Sequence, residues 1–272
     1  MRFPGPEVPR FAIGVAIAAL VAIAAGALLT NGIGGPTLIY RMHPHSVLAV
    51  IAGALATALM VWLIPSNTPL WVRATSGTAV GLFAIDALLA SVIQTRPLPL
   101  ALSLAHACLA PMFFSALVVV AAYTWPGWED RPFAADLSDY SLVAQMADVT
   151  PFLTVVQIAL GAAYRHKALG VMPHMAGAML VALPLLIISV VLLQQFPKHA
   201  SIRPLAISTM SVLLLQVSLG IGAFVMRLLD FDTLPGFAYV AAGHVCAGAL
   251  TLAASVVTCI ELRRCRPQTL LQ

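Results

Sequence analysis

The sequence predicts an all-α integral membrane protein: eight transmembrane helices arranged as two parallel-repeat four-helix bundles. Three observations carry the prediction. Of the 272 residues, 61% are hydrophobic and 9% charged, with a mean hydropathy of +0.97, whereas a soluble globule carries about 25% charged residues. Eight apolar stretches, at 11–29, 46–64, 74–93, 98–122, 149–164, 174–194, 205–227 and 236–260, approach the roughly 20 residues that a helical span requires. They are too long, and too rich in Leu, Ala and Gly, for barrel strands of about 10 strictly alternating residues. Finally, the last four stretches echo the first four.

The first stretch follows Arg2 and Arg10 and resembles a signal peptide. Its apolar run exceeds the roughly 7–15 residues of a signal core, so it is read as a retained span. The second is preceded by Arg41-Met-His43-Pro44-His45. The third contains Asp86, the one carboxylate placed well inside a span. The fourth carries Ala-His106-Ala-Cys108. The longest loop follows, 123–148, with Trp125-Pro-Gly-Trp128 and then Glu129, Asp130, Asp136, Asp139 and Asp148 against Arg131. This acidic linker separates an N-terminal half, 1–122, from a C-terminal half, 149–272. The sixth stretch opens at Pro173-His174, and the eighth carries Gly-His244-Val-Cys246. The remaining loops are short, so successive helices pack antiparallel.

The repeat is visible in particular phrases. Span one ends at Gly26-Ala27 and span five at Gly161-Ala162; span three has Asp86 where span seven has Gln216; spans four and eight share His-x-Cys. Each half has an even number of spans, so both enter the membrane in the same sense and the repeat is parallel. Gln157-Ile-Ala-Leu-Gly161 also echoes Gln216-Val-Ser-Leu-Gly220. A polar Gln beside small residues suits close interhelical packing, the role assigned to both glutamines ahead of ligand contact.

The net charge of +4 does not indicate nucleic acid, because the basic residues are scattered over loops. With the N-terminus inside, the cytoplasmic side holds Arg2, Arg10, Arg73, Arg131, Lys198, Arg203, Arg263, Arg264 and Arg266. The outer side holds Arg41, Arg96, Arg165, Lys167 and Arg227, the remainder of the 14. The positive-inside rule then places both termini in the cytoplasm, and the expected location is a bacterial cytoplasmic membrane. Cys108, Cys246, Cys259 and Cys265 form no CxxC motif. They are read as small core residues without a disulfide.

Four histidines fall into two matching pairs: His45 and His106 in the first half, His174 and His244 in the second. Imidazole within a span is costly without a partner or ligand. His45 and His174 lie at helix entrances and His106 and His244 about eight residues in, or about 12 Å along a helix. All four then occupy the outer half of the membrane. A closed zinc site needs four converging ligands, whereas a heme needs only two axial ones, which matches the pairing. Arg41, Arg96, Arg165 and Arg227 flank the spans on the same side, either to pair with heme propionates or to anchor helix ends at headgroups. Cys108 and Cys246 lie two residues beyond a histidine, about 200° around the helix, and face away from it. His43 competes with His45 across Pro44. His166 is a surface residue or a propionate contact, and His199 is read as a solvated loop residue.

These residues resemble the heme A synthase family, whose members have eight spans in two four-helix halves. Gln157-Ile-Ala-Leu-Gly-Ala-Ala-Tyr-Arg165-His166 looks like the family's fifth span and its exit. Pro173-His174-Met-Ala-Gly-Ala looks like its sixth-span ligand region, Leu215-Gln216-Val-Ser-Leu-Gly220 like its seventh span, and Gly243-His244 like its eighth. The resemblance implies conversion of heme O to heme A, by oxidation of a ring methyl to a formyl, for terminal-oxidase assembly. It implies that His174 and His244, with Arg165 and Arg227 nearby, hold a heme b, and that His45 and His106 flank the substrate heme. Asp86 is a catalytic candidate on a separate ground, as an ionisable residue inside a span: it relays protons or replaces a missing acidic group, or else it is a neutral, hydrogen-bonded packing residue. Partners expected on this reading are the bilayer, a heme substrate and oxidase-assembly or respiratory-complex proteins. The chain departs from the family in the first half. The Glu expected one turn before the second-span histidine is Met42 or Tyr40, depending on whether His45 or His43 is the ligand. The 30–43 loop lacks a cysteine pair, and Leu28-Leu29-Thr30-Asn31 replaces the usual exit of span one. Two other readings remain: a non-catalytic bis-His b-type cytochrome of a respiratory complex, suited to those departures, and a small-molecule or ion carrier, suited only to the repeat.

Overall fold

The computed structural model describes residues 5–30, 38–93, 99–125 and 141–264, with the side chains of 38–43 and 93 set aside. The expectations for Arg41, His43, Arg96, Arg131, Cys265 and most of the acidic linker therefore lie outside the described residues. Eight helices account for nearly all of the rest: α1 Glu7–Thr30, α2 Leu38–Leu63, α3 Leu70–Ile93, α4 Leu100–Tyr123, α5 Ser141–Arg165, α6 Val171–Gln195, α7 Ile202–Leu228 and α8 Pro235–Arg264. All eight are long and apolar enough to cross a membrane, and the chain is an integral membrane protein of helical type.

The packing is that of two closed four-helix rings. In the first, α1 packs on α2, α2 on α3, α3 on α4 and α4 back on α1. In the second, α5, α6, α7 and α8 repeat the same circuit. The rings meet through α4 against α8, flanked by α1 against α8 and α4 against α5. Moving four helices along the chain carries each of these contacts onto another, so the repeat read from short phrases extends to the whole packing scheme. The central helices α4 and α8 are the most buried, while α3 and α7 are peripheral.

The side-chain distribution is inverted relative to a soluble bundle. Large apolar groups such as Ile17, Val50, Leu88, Phe152, Leu180 and Ile221 are exposed on the outside, where lipid satisfies them. The interior is dense in Ala12, Ala19, Ala52, Ala56, Ala79, Ala249 and Ala253, small residues that let backbones approach closely. Several buried hydroxyls bond back to their own helix: Thr154 to the Thr150 carbonyl at 2.8 Å and Thr251 to that of Ala247 at 2.8 Å. Thr209 and Thr258 pair across α7 and α8 at 3.1 Å.

Two details depart from the sequence reading. Helix α5 begins at Ser141 rather than 149, so the linker expected over 123–148 is shorter by its last eight residues. Asp148, read as a loop residue, is inside α5, and its Oδ1 accepts from Arg263 Nε on α8 at 2.7 Å. His199 is not simply solvated. Its Nδ1 accepts from the backbone N–H groups of Ser201 and Ile202 at 3.3 and 3.2 Å, capping the start of α7.

Candidate functional site

Successive helices reverse, so α1, α3, α5 and α7 finish at the end of the molecule where α2, α4, α6 and α8 begin. All four paired histidines lie toward that end, each on an even-numbered helix, each facing the odd-numbered helix before it.

Three of them are seated in the same way. His45 lies against Gly26, His174 against Gly161 and His244 against Gly220. A Cβ on these glycines would stand 2.8, 2.9 and 2.9 Å from the imidazole Cε1. Only the absence of a side chain lets the ring edge come this close to the neighbouring helix. The residue one turn before each glycine then engages Nδ1. For His45 it is the Ala22 carbonyl at 2.9 Å, and for His244 the Gln216 carbonyl at 3.1 Å. A carbonyl can only accept, so a neutral ring in this position carries its proton on Nδ1 and presents a lone pair at Nε2.

His174 differs. The Gln157 side-chain Nε2 lies 2.9 Å from His174 Nδ1 and donates to the His174 carbonyl at 2.8 Å. In this orientation Nδ1 is the acceptor and the ring proton sits on Nε2. The Gln157 Oε1 is buried without a partner. The Gln157 backbone carbonyl is a second partner of the His174 ring, and it accepts from Nδ1–H in the other tautomer, which frees Nε2. The glutamine side chains sit against glycines of the neighbouring helix, Gln157 on Gly177 and Gln216 on Gly248, as the packing reading expects, and each glutamine also holds a histidine.

His106 has no glycine seat. Its Nδ1 lies 2.7 Å from Asp86 Oδ1 on α3, with side-chain exposures of 30% and 15%. His45 lies close enough to sense the charges of both His106 and Asp86, so the structure brings the three first-half candidates into one neighbourhood.

In the second half, the His174 and His244 rings face each other from α6 and α8, diagonal members of their ring of helices. Their centroids are 6.2 Å apart and their planes 89°. Counting residues from helix starts placed this pair at different depths. The structure nevertheless brings the two rings into contact across the bundle. Among the described residues no three His, Cys, Asp or Glu side chains converge on a point. Two imidazoles alone suit a metal whose other ligands arrive with it.

Arg165 and Arg227 are brought together with Lys167 around a cleft of about 500 Å³ at this end of the second half. Arg227 is already engaged, donating to the Tyr164 hydroxyl at 3.0 Å and lying 3.6 Å from Asp232 Oδ2. Arg165 and Lys167 carry the cleft's remaining positive charge. His166 is exposed in the turn beside it. Partial burial, and then the Arg165 charge, hold its imidazole below the ordinary value, so it is neutral at pH 7. Cys246 packs toward α1 and α4, away from His244 as its spacing predicts. Cys108, Cys246 and Cys259 form no disulfide among the described residues.

A scan against protein-family models and a search of curated proteins each return no match.

Proposed function

We propose that the chain is a heme-binding membrane oxidoreductase of the heme A synthase type. His174 and His244 would hold a heme b, and His45 and His106 would flank a substrate heme, heme O. The observation that carries the reading is the facing pair in the second half. Two metal–imidazole bonds of about 2 Å, joined through rings of ordinary C–N dimensions, place ring centres about 6.3 Å apart. The His174–His244 separation is 6.2 Å.

A heme bound there supplies one-electron redox chemistry. The chain's own residues do the rest. The Gln216 carbonyl holds the Nδ1 proton of His244, fixing its tautomer and raising its donor strength. The Gln157 carbonyl does the same for His174 in the Nδ1–H tautomer. Gly161 and Gly220 set the two rings in place. Arg165 and Lys167 offer charge-assisted bonds to carboxylates at the bundle end, and the apolar walls of the ring exclude water. The membrane would be the bacterial cytoplasmic one, with both termini inside, and the partners oxidase-assembly proteins.

A second reading, a non-catalytic bis-His b-type cytochrome, is favoured by one observation. His45 is seated on Gly26 just as His174 and His244 are on theirs, so the first half is also built to present an axial ligand. Co-expression with a heme O producer separates the two. Heme A in the extract, lost in His45→Ala, is expected for the synthase. Two stable hemes b and no heme A, in folded protein, would establish the cytochrome instead. A purified chain with no Soret band would sink both.

A further inference from the structure

We propose that Asp86 is a positioning residue that makes His106 a stronger donor than its counterpart His244, so that the two halves hold electronically unlike irons. The inference rests on the heme reading above and deepens it.

The repeat supplies the comparison. Helices α3 and α7 occupy equivalent places, each packed on the helix that bears a deep histidine. On α7 the group facing the histidine Nδ1 is a neutral backbone carbonyl, Gln216 O at 3.1 Å. On α3 it is a carboxylate, Asp86 Oδ1 at 2.7 Å. Same fold, same role, different acceptor charge. The contact is short, as charge-assisted bonds are.

The placement is also costly without a reason. Asp86 lies within a span, its side chain 15% exposed and hydrogen-bonded to His106. A carboxylate in a membrane span is expensive, and His106 is what offsets it. A packing role needs no charge there; the seventh span does without one.

The consequence follows from ligand electronics. A carboxylate accepting Nδ1–H draws the proton toward itself and leaves negative charge on the ring, raising its basicity at Nε2. A more basic axial ligand favours the oxidised iron and lowers the reduction potential. The His106 site is therefore the lower-potential member of the pair.

The test uses purified holoprotein with a heme in each half and a spectroscopic redox titration. In Asp86→Asn the first-half heme should stay bound, and its reduced-to-oxidised ratio at a fixed potential should rise tenfold or more, which is about 59 mV for one electron. The second-half heme should be unchanged, and Asp86→Glu should return the titration toward wild type. An Asp86→Asn protein that keeps both hemes and titrates as wild type overturns the proposal. If Asp86→Asn loses the heme, near-infrared magnetic circular dichroism of the unaltered protein decides: two distinct charge-transfer bands support the proposal, and two coincident ones overturn it. His106→Ala tests the underlying reading separately. An undiminished heme count in that variant shows that His106 is no ligand, and the heme reading of the first half fails with it.

Discussion

At Gly26, Gly161 and Gly220 a methyl group would have to occupy space that the edge of an imidazole already fills. Gly→Ala at any of them should displace the ring it seats, at an overpacking cost of about 1–3 kcal/mol. The expected result is loss of heme from the second half in Gly161→Ala and Gly220→Ala, and from the first half in Gly26→Ala. Heme-to-protein ratio and thermal unfolding both report it. Gln157→Leu should likewise weaken heme retention, by roughly the 10–100-fold typical of lost outer partners of a metal ligand, while Gln157→Glu, which accepts from Nδ1, should retain it. At this scale the sequence was only half legible. The four histidines and the Gly-Ala echoes stood out, but nothing in one strand of text says that Gly161 lies under His174. That depends on the rotation of α5 against α6, which packing sets. The packing reading of Gln157 holds, since its side chain sits against Gly177 on α6, but its bond to the His174 ring depends on that same rotation.

Helix boundaries followed hydropathy closely except where charge intervened. The apolar window stops at 149, yet Leu142, Ala144, Gln145, Met146 and Ala147 are all good helix formers, and α5 continues through them to Ser141. The charge that hid the extension is spent on a contact, Asp148 with Arg263. Arg263 is 60% exposed, so Asp148→Asn should cost less than about 1 kcal/mol, visible as a small fall in unfolding midpoint with heme content unchanged. The exits of α5 and α7 show a second regularity. Lys167 and Asp230 adopt φ of 59° and 58°, and the N–H of the third residue beyond each helix bonds back five residues, Ala168 to Ala163 at 2.9 Å and Phe231 to Met226 at 2.8 Å. These are Schellman turns without the usual glycine. Lys167→Gly should stabilise the turn by about 1 kcal/mol, read from the same unfolding curve.

The molecule as a whole was the most legible, because duplication is written in composition, span count and paired phrases at once. What the text could not give was the seam. Packing of α4 on α8 joins the halves, and every ring of helices closes without borrowing from the other. Two chains cut between residues 125 and 141 and expressed together should therefore copurify and bind heme, as a heme-to-protein ratio on the assembled pair would check. Either half produced alone should expose the α4 or α8 face and aggregate.

The four histidines gather at one end of an eight-helix body, and the membrane potential drops along the axis that they do not use. Moving one charge across that potential involves about 2.3 kcal/mol per 100 mV. On the proposed function, an electron passed between the two halves would travel parallel to the bilayer and cross almost none of that field. Energising the membrane should then neither drive nor hinder that step.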